Sequence, residues 1–283
     1  MKRLLVLFLL AAAAANAAPQ RIVSTAPSIT EMLYALGLGD RVVGVTTFCH
    51  YPPEVRDKPK IGSYMQPNVE IVLAMRPDLV VVLHEQKMGE RFKALKLPVL
   101  TLQHNDLDGI DQSLRDLAQE ADVPERAEEK IAEIRGRLAE VRARARDLPR
   151  RSVVFFVGRS PGTISDLIAV GKGSFLNDLI AIAGGRNHFA EAVTFYPRIP
   201  REEIYAGRPD VVVDMGDMSD TDKVSEEHRL SVGKLWEQTF PDIPAVREGR
   251  VYAVANDIFV VPGPRVAETA EALFQMIHPE VAE

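Results

Sequence analysis

A repeated segment constrains the fold of this chain more than any other feature of its sequence. Residues 67–82, PNVEIVLAMRPDLVVV, recur as residues 199–213, IPREEIYAGRPDVVV. One offset of 132 residues aligns Glu70 with Glu202 and Arg-Pro-Asp with Arg-Pro-Asp. Each copy predicts a short helix that proline terminates, followed by an apolar strand buried on both faces. Duplication of one lobe is the simplest origin of such a repeat.

A second repeat extends the duplication. Residues 175–184 match residues 28–37 at an offset of 147, which aligns Glu31 with Asp178 and Gly37 with Gly184. Two different offsets indicate duplication followed by changes in loop length. The first of these helices is predicted to begin at Ser28, with Ser28 and Glu31 forming a capping box.

The order of predicted elements indicates an α/β fold. Strands and helices alternate, which favours two pseudo-equivalent lobes, each with a parallel sheet covered by helices. Pro124 opens the longest helical pattern, roughly 24 residues or ~36 Å, long enough to connect two lobes. The predicted division is a signal peptide over 1–17, an N-terminal lobe over 18–122, a connecting helix over 123–148 and a C-terminal lobe over 149–283.

The N-terminus has the organisation of an export signal. Lys2 and Arg3 precede an apolar stretch that ends at Ala15-Asn16-Ala17, an A-x-A cleavage site. An uncleaved membrane anchor is the competing interpretation, but the apolar stretch is too short to span a bilayer. Cys49 is the only cysteine, so an internal disulfide is excluded and no cysteine follows the cleavage site to carry a lipid. We therefore expect a soluble periplasmic protein.

Composition and motifs argue against several classes of function. A net charge of −6 disfavours nucleic-acid binding, which depends on basic patches. No G-x-S-x-G or H-E-x-x-H motif is present, and the histidines are dispersed. Gly171-Lys172-Gly173-Ser174 lacks the spacing of a phosphate loop and predicts a turn capped by Ser174. Cys49-His50 is not expected to be a catalytic pair, because adjacent side chains of an extended segment point apart. We therefore predict no enzyme, no catalytic residue and no metal site.

Candidate ligand-binding residues follow the predicted strands, because ligands of open α/β sheets bind beyond the carboxyl ends of the strands. His84 ends one such strand. Aromatic rings, which suit flat or bulky organic ligands, concentrate in these loops. They are Phe48, Tyr51, Tyr64, Phe195, Tyr196 and Phe259. That each of these rings is ordinary core remains an equal alternative, whereas Trp236 is expected in the core.

Several motifs taken together resemble a known family. They are STAPSITE at 24–31, HYPPE at 50–54, NVE with RPDLV at 68–80, and FLND with AGG at 175–185. As a set they resemble the helical-backbone, or class III, periplasmic binding proteins, over essentially the whole mature chain. That family delivers cobalamin, haem or ferric siderophores to ABC importers, and its ligand cleft lies between the two lobes. Tyr-Pro-Pro-Glu followed by Gly62-Ser63-Tyr64 is most similar to the cobalamin-binding branch.

The resemblance implies residue roles. Glu70 and Glu202 match glutamates that engage arginines of the permease; the alternative is that both only complement helix N-termini. Phe48 and Tyr64 match aromatic residues of the cobalamin cleft. The cobalamin branch often has tryptophan at the position of Tyr64 and again just after the strand that His84 follows.

These departures keep haem and ferric siderophores open as ligands. For haem, Tyr64 and His84 would serve as axial ligands, and Arg159 would pair with acidic groups of haem or a siderophore.

The resemblance also implies the partners. We expect a monomer without a resident cofactor that binds a small molecule, most simply a corrinoid. Its macromolecular partner would be an ABC permease dimer with its ATPase subunits. A periplasmic sensor module and an enzyme are the remaining alternatives.

Overall fold

The computed structural model describes residues 18–216 and 225–281; the predicted signal peptide lies outside the described residues. The chain divides into two compact units. The first comprises the residues up to Gln103 together with Asp111–Ile131, and the second comprises His104–Ile110 together with the residues from Ala132 onward. Within the described residues, no helix is both long enough and apolar enough to cross a membrane.

The sheet of the first unit has four strands, all parallel, in the order β2-β1-β3-β4. The strands are β1 (Ile22–Ser24), β2 (Val42–Gly44), β3 (Leu79–Leu83) and β4 (Val99–Leu102). The helices of this part of the chain are α1 (Pro27–Ala35), α2 (Val69–Ala74), α3 (Met88–Ala94), α4 (Leu107–Glu120) and α5 (Pro124–Ala145), and α4 and α5 each have residues in both units. Short 3₁₀ helices cover Gly39–Arg41 and Pro53–Asp57. The predicted parallel sheet is confirmed here, and the long helix α5 has 22 residues, or ~33 Å.

The sheet of the second unit is mixed. Its strands are β5 (Arg151–Gly158), β6 (Leu167–Ala169), β7 (Gly185–Asn187), β8 (Arg198–Ile199), β9 (Val211–Asp214) and β10 (Val251–Ala253). The order is β10-β9-β5-β6-β8, with β7 also pairing with β5. Its helices are α6 (Phe175–Ile182), α7 (Arg201–Gly207), α8 (Glu226–Thr239), α9 (Pro244–Arg247) and α10 (Val266–Ile277), with 3₁₀ helices at Asp257–Phe259 and Pro279–Val281.

The α/β class is confirmed, but the prediction of an all-parallel second sheet is wrong. Strand β6 runs antiparallel to β5, and β8 runs antiparallel to β6. The chain reverses directly after β5, where Gly162 and Asp166 adopt left-handed backbone conformations with φ of 67° and 52°. Such residues allow a tight return that needs no crossover helix.

The repeat of the sequence is also a repeat of the structure. Helices α2 and α7 are each followed by an arginine in the left-handed conformation, Arg76 with φ 47° and Arg208 with φ 43°, and then by proline. The aspartate that follows accepts hydrogen bonds from the start of the neighbouring strand. Asp78 accepts them from the backbone N–H groups of Gln20 and Arg21 at 2.8 and 2.7 Å. Asp210 accepts one from Ser152 at 2.8 Å.

The predicted start of the first helix is wrong by one residue. Helix α1 begins at Pro27 instead of Ser28, and its N-cap residue, Ala26, has no side-chain oxygen to offer. Proline at the first position already removes one of the donors that a cap would satisfy. Helix α8 begins at Glu226, where the Ser225 hydroxyl caps it by accepting from the His228 N–H.

Each unit has its own apolar core. In the first unit Val23, Val80, Val82 and Phe92 are fully buried with the inner face of α2. In the second unit Trp236 is fully buried, as predicted, and its ring stacks between Phe156 and Phe240 at centroid distances of 5.6 and 5.4 Å.

Candidate ligand-binding site

In the first unit, one side-chain amide links the carboxyl ends of β1 and β3. The oxygen of Gln86 accepts hydrogen bonds from the Thr25 hydroxyl at 2.7 Å and the Leu83 N–H at 2.9 Å. Its NH₂ group donates to the carbonyls of Thr25 at 3.0 Å and Tyr64 at 2.9 Å. The amide is therefore fully used, and it fixes the loop that carries Tyr64 against the strand ends.

Tyr64 keeps its proton in this arrangement. Its hydroxyl donates to Oε1 of Glu85 at 3.2 Å. Burial, followed by the charge of Glu85 and this hydrogen bond, raises the pKa of Tyr64 to about 12. The side chain is thus a neutral hydrogen-bonding group near neutral pH.

The loop after β2 presents two aromatic rings. Phe48 is 57% exposed and Tyr51 is 42% exposed. Cys49 between them is buried, and its Sγ is 3.2 Å from the hydroxyls of both Thr30 and Thr46. Burial raises the pKa of this thiol, so the cysteine anchors the loop and is not a ready nucleophile.

Hydrogen bonds connect these loops to one another. The N–H of Thr47 donates to the carbonyl of Gly62 at 3.0 Å, which joins the Phe48 loop to the Tyr64 loop. His84, which directly follows β3, is exposed, and its backbone N–H donates to the carbonyl of Leu102 at 2.8 Å. The first unit thus carries four of the predicted ligand residues, Phe48, Tyr51, Tyr64 and His84, on connected loops that follow its strands.

In the second unit, a buried ion pair holds the corresponding strand ends. Nε of Arg159 is 2.9 and 3.1 Å from the two carboxylate oxygens of Asp214. The same carboxylate accepts from the indole N–H of Trp236 and the backbone N–H of Gly216, both at 2.7 Å. The charge of Arg159, predicted to meet acidic groups of a ligand, is therefore already paired inside this unit.

The predicted aromatic residues of the second unit differ in exposure. Tyr196 is 45% exposed as a whole residue, but protein surrounds its hydroxyl, and this burial raises the pKa of Tyr196. Phe195 is similarly exposed, and its backbone carbonyl accepts from the N–H of Gly171 at 2.8 Å. Phe259 instead lies in the interior, with its ring 5.6 Å from that of Phe155. Contact between Phe259 and a ligand stays a prediction, and the ring of Phe259 is not exposed in this structure.

The turn before α6 is not a phosphate loop. The hydroxyl of Ser174 accepts a hydrogen bond from the N–H of Asn177, so it caps the helix as predicted. A side chain at Gly173 would collide with the ring of Phe195, because a Cβ there would lie 2.8 Å from it. The glycines of this turn therefore serve packing against the 195 loop.

The two predicted docking glutamates occupy equivalent places. Glu70 lies in the first turn of α2 and Glu202 in the first turn of α7, and both are exposed. The helices begin differently, since the side chain of Asn68 caps α2, whereas Pro200 provides no side-chain cap for α7.

Comparison with known proteins assigns the family. A family model described as periplasmic binding protein matches residues 22–258. The chain belongs to the periplasmic binding protein family. It is 31% identical over 264 residues to a vitamin B12-binding protein of Yersinia pestis, covering 92% of this chain and 87% of that protein.

Two further relatives of this periplasmic binding protein have different names. An uncharacterised ABC transporter substrate-binding lipoprotein of Bacillus subtilis is 32% identical over 274 residues, covering 93% of this chain and 81% of that one. A periplasmic heme binding protein of Pseudomonas aeruginosa superposes with a TM-score of 0.76 at 27% identity, covering 92% of this chain and 93% of the other. The protein is therefore a periplasmic binding protein of the ABC transporter type.

Sequence reasoning missed the two residues that organise the strand ends of this binding protein. Gln86 follows β3 and Asp214 is the last residue of β9, and no sequence motif assigns a role to either side chain. The available signal for Asp214 was a carboxylate ending an otherwise apolar strand, which predicts a buried partner. Nothing in the sequence around Gln86 distinguishes it from a surface glutamine.

Proposed function

We propose that this protein captures a corrinoid, most simply cobalamin, in the periplasm and delivers it as a monomer to an ABC permease dimer with its ATPase subunits. The observation that carries the proposal is the 31% identity to a vitamin B12-binding protein along 92% of this chain. The exposed rings of the first unit support it, because a large, flat ligand with an apolar face is best held by aromatic side chains.

Haem is the second candidate, supported by the structural likeness to a heme binding protein. A tyrosine binds haem iron as phenolate, so Tyr64, whose pKa burial raises to about 12 in the ligand-free protein, would have to lose its proton to the iron on binding. Arg159, the cation expected to face propionates, is engaged by Asp214. Ferric siderophores rest on family resemblance alone.

The test is a visible absorption and calorimetric titration of the purified mature protein with cyanocobalamin and, separately, with haem. We expect saturable, stoichiometric binding of the corrinoid and no Soret shift with haem. A Soret shift without corrinoid binding would replace this proposal with haem, and no response to either would leave siderophores.

A variant pair tests the aromatic loop. Phe48→Ala is expected to weaken corrinoid binding about tenfold, since removing an aromatic contact costs roughly 1–2 kcal/mol. Leu95→Ala, which removes a 41% exposed apolar side chain just after α3, is the matched control and should leave affinity unchanged. Equal effects of the two changes would remove Phe48 from the site.

Docking of the permease through Glu70 and Glu202 is the second part of the proposal. Two exposed carboxylates at repeat-related positions are suited to a permease dimer with two-fold symmetry. The competing explanation is that each only complements a helix N-terminus, which would contribute roughly 0.3–1 kcal/mol to stability and nothing to transport.

The double variant Glu70→Ala/Glu202→Ala separates these explanations. We expect it to abolish uptake in cells that depend on this protein while the affinity for ligand is unchanged. Glu90→Ala/Glu226→Ala is the matched control, because these are exposed first-turn glutamates of α3 and α8, again one in each unit. Normal uptake by the first variant would disprove docking through these residues.

A further inference from the structure

A cavity of about 380 Å³ lies within the second unit, between the end of α5 and the end of α6. Its lining combines three arginines with four uncharged residues. They are Arg142, Arg146, Arg150, Ala145, Ala181, Ile182 and Gly184, and we call this cavity the arginine pocket. No acidic side chain belongs to the lining.

The sequence concentrates positive charge at this place. Residues 142–151, RARARDLPRR, contain five arginines and one aspartate, in a chain whose net charge is −6. Two of the five are used inside the unit. Arg144 lies over the ring of Phe274 at 4.3 Å, and Arg151 pairs with Glu280 at 3.0 Å.

The other three arginines are those that line the pocket. All three are exposed, and none forms an ion pair within the described parts of the chain. Arg142 lies in the last turn of α5 and Arg146 directly follows that helix, and because both line the same cavity their like charges repel. Arg150 makes only a long hydrogen bond, at 3.4 Å, to the carbonyl of Gly185.

A glycine closes the wall of the pocket. Gly184 has φ of 82°, and a Cβ there would lie 2.7 Å from Nε2 of the buried His278 and 2.9 Å from the Cβ of Ala145. Only glycine lets the end of α6 approach α5 this closely. Burial and then the charge of Arg151 lower the pKa of His278, so its imidazole adds no positive charge behind the wall.

The arginines of the pocket have two possible explanations, compensation of the helix dipole and binding of an anion. Arginines near the C-terminal end of a helix complement the helix dipole, which accounts for a cation such as Arg142 at the end of α5. It does not account for three unpaired guanidinium groups around one concave site. Planar guanidinium groups bind phosphate oxygens in pairs, and the anion would also relieve the repulsion between Arg142 and Arg146.

We propose that the arginine pocket binds a phosphate-bearing anion, at a site that is independent of the transported ligand. The anion would come either from a free oligophosphate or from the headgroup of an anionic phospholipid. Both sources share the phosphate chemistry, and they are separated by the form in which the phosphate is supplied.

The test uses the full mature protein in two arms. In the first, pyrophosphate is titrated calorimetrically and its effect on the thermal unfolding midpoint is recorded. In the second, vesicles of phosphatidylglycerol in phosphatidylcholine are compared with pure phosphatidylcholine vesicles by co-sedimentation. We expect saturable binding in at least one arm, and the arm that responds identifies the source.

Variants assign any binding to the pocket. Arg142→Gln/Arg146→Gln/Arg150→Gln should weaken it more than about tenfold, and Arg146→Gln alone should weaken it measurably. The control Arg91→Gln/Arg186→Gln/Arg247→Gln removes the same charge from exposed arginines elsewhere and should bind as the wild type does. We call the variant Arg142→Gln/Arg146→Gln/Arg150→Gln the pocket triple. Without anion, its thermal unfolding midpoint should not fall below that of the wild type, because the repulsion between the arginines is removed.

Two results would overturn the proposal. The first is a wild-type protein that binds neither pyrophosphate nor phosphatidylglycerol vesicles. The second is an equal loss of binding in the pocket triple and the control triple, which would reduce the effect to net charge. If the pocket triple unfolds, Arg146→Gln decides: unchanged binding by this folded single variant would count against the pocket.

Discussion

The two units share one backbone arrangement but hold their strand ends by different chemistry. At the amino ends, Asp78 and Asp210 perform the same task, since each accepts backbone hydrogen bonds from the neighbouring strand. At the carboxyl ends, the first unit uses the neutral amide of Gln86. The second uses the buried ion pair of Arg159 and Asp214.

This difference shows which features of a duplicated fold are free to change. The helix, proline stop and apolar strand determine the backbone, whereas the polar group at the strand ends must only satisfy every buried donor and acceptor. The consequences of losing each group are unequal. Loss of the amide leaves neutral groups unpaired, whereas loss of one partner of a buried ion pair leaves an uncompensated charge.

The largest effect is expected from Asp214→Asn. The side chain of Arg159 is 4% exposed, so its charge would lose the carboxylate that pairs with it in a buried site. We expect the free energy of unfolding to fall by roughly 3–5 kcal/mol, measured by denaturant unfolding.

A double-mutant cycle controls this prediction. Arg159→Met alone should also be costly, because it leaves the carboxylate unpaired, whereas Arg159→Met/Asp214→Asn removes both charges and should recover much of the loss. If Asp214→Asn costs less than about 1 kcal/mol, the ion pair is not the element that holds these strand ends.

The second-largest effect is expected from acidification, which should destabilise the second unit more than the first. Burial lowers the pKa of His104 from its ordinary 6.5 to about 4, and burial also lowers the pKa of His188 and His278. All three belong to the second unit. A histidine with a lowered pKa stabilises the fold fully above pH 6.5, and this contribution is lost as pH falls towards 4.

For His104 alone the loss is about 3 kcal/mol, since each pKa unit corresponds to about 1.4 kcal/mol. Hydrogen exchange between pH 7 and pH 4 should therefore show the second unit losing protection first. His104→Gln should flatten this pH dependence, and His84→Asn, which changes an exposed histidine of the first unit, should not. Equal loss of protection in both units would contradict the assignment.

Much of this fold could be predicted from the sequence because its signals are local. The apolar run 79–83 and the proline that precedes it specify a buried strand with few alternatives. The antiparallel strands β6 and β8 could not be predicted, because they have three and two residues and owe their place to pairing with β5. The start of α1 was misassigned because Ser28 has the composition of a cap, while Pro27 determines the first turn.

For the candidate site, the sequence could predict which residues follow strand ends but not where their side chains lie. Phe48, Tyr51 and His84 follow strands, and the structure leaves them exposed. Arg159 and Phe259 follow strand ends by the same rule, but their side chains turn inward to partners distant in sequence, Asp214 and Phe155. Long-range pairing of this kind is invisible to local patterns.

A smaller effect is expected from Gln86→Ala in the first unit. The change leaves the N–H of Leu83 and the carbonyl of Thr25 without this partner at a partly buried site. We expect the free energy of unfolding, measured with denaturant, to fall by roughly 1–3 kcal/mol. This is less than for Asp214→Asn, because no buried charge loses its partner. Gln119→Ala, an exposed glutamine of the same unit, should be neutral. A cost equal to that of Asp214→Asn would remove the distinction between the two kinds of contact.

The smallest effects concern the arginines that end the repeated helices. Arg76 and Arg208 hold left-handed conformations, which an L-residue adopts at a cost and glycine adopts freely. Arg208 also donates a hydrogen bond to the carbonyl of Asp242 at 3.2 Å, and no such bond is present for Arg76 among the described residues. Arg76→Gly should therefore stabilise the protein by up to about 1 kcal/mol, and Arg208→Gly by less, because it also loses that bond. Thermal unfolding of both variants beside Arg91→Gly, a change within the regular helix α3, provides the comparison. The Arg91→Gly variant should be destabilised by about 1 kcal/mol, and a similar loss at Arg76 would show that its side chain stabilises the turn despite its backbone conformation.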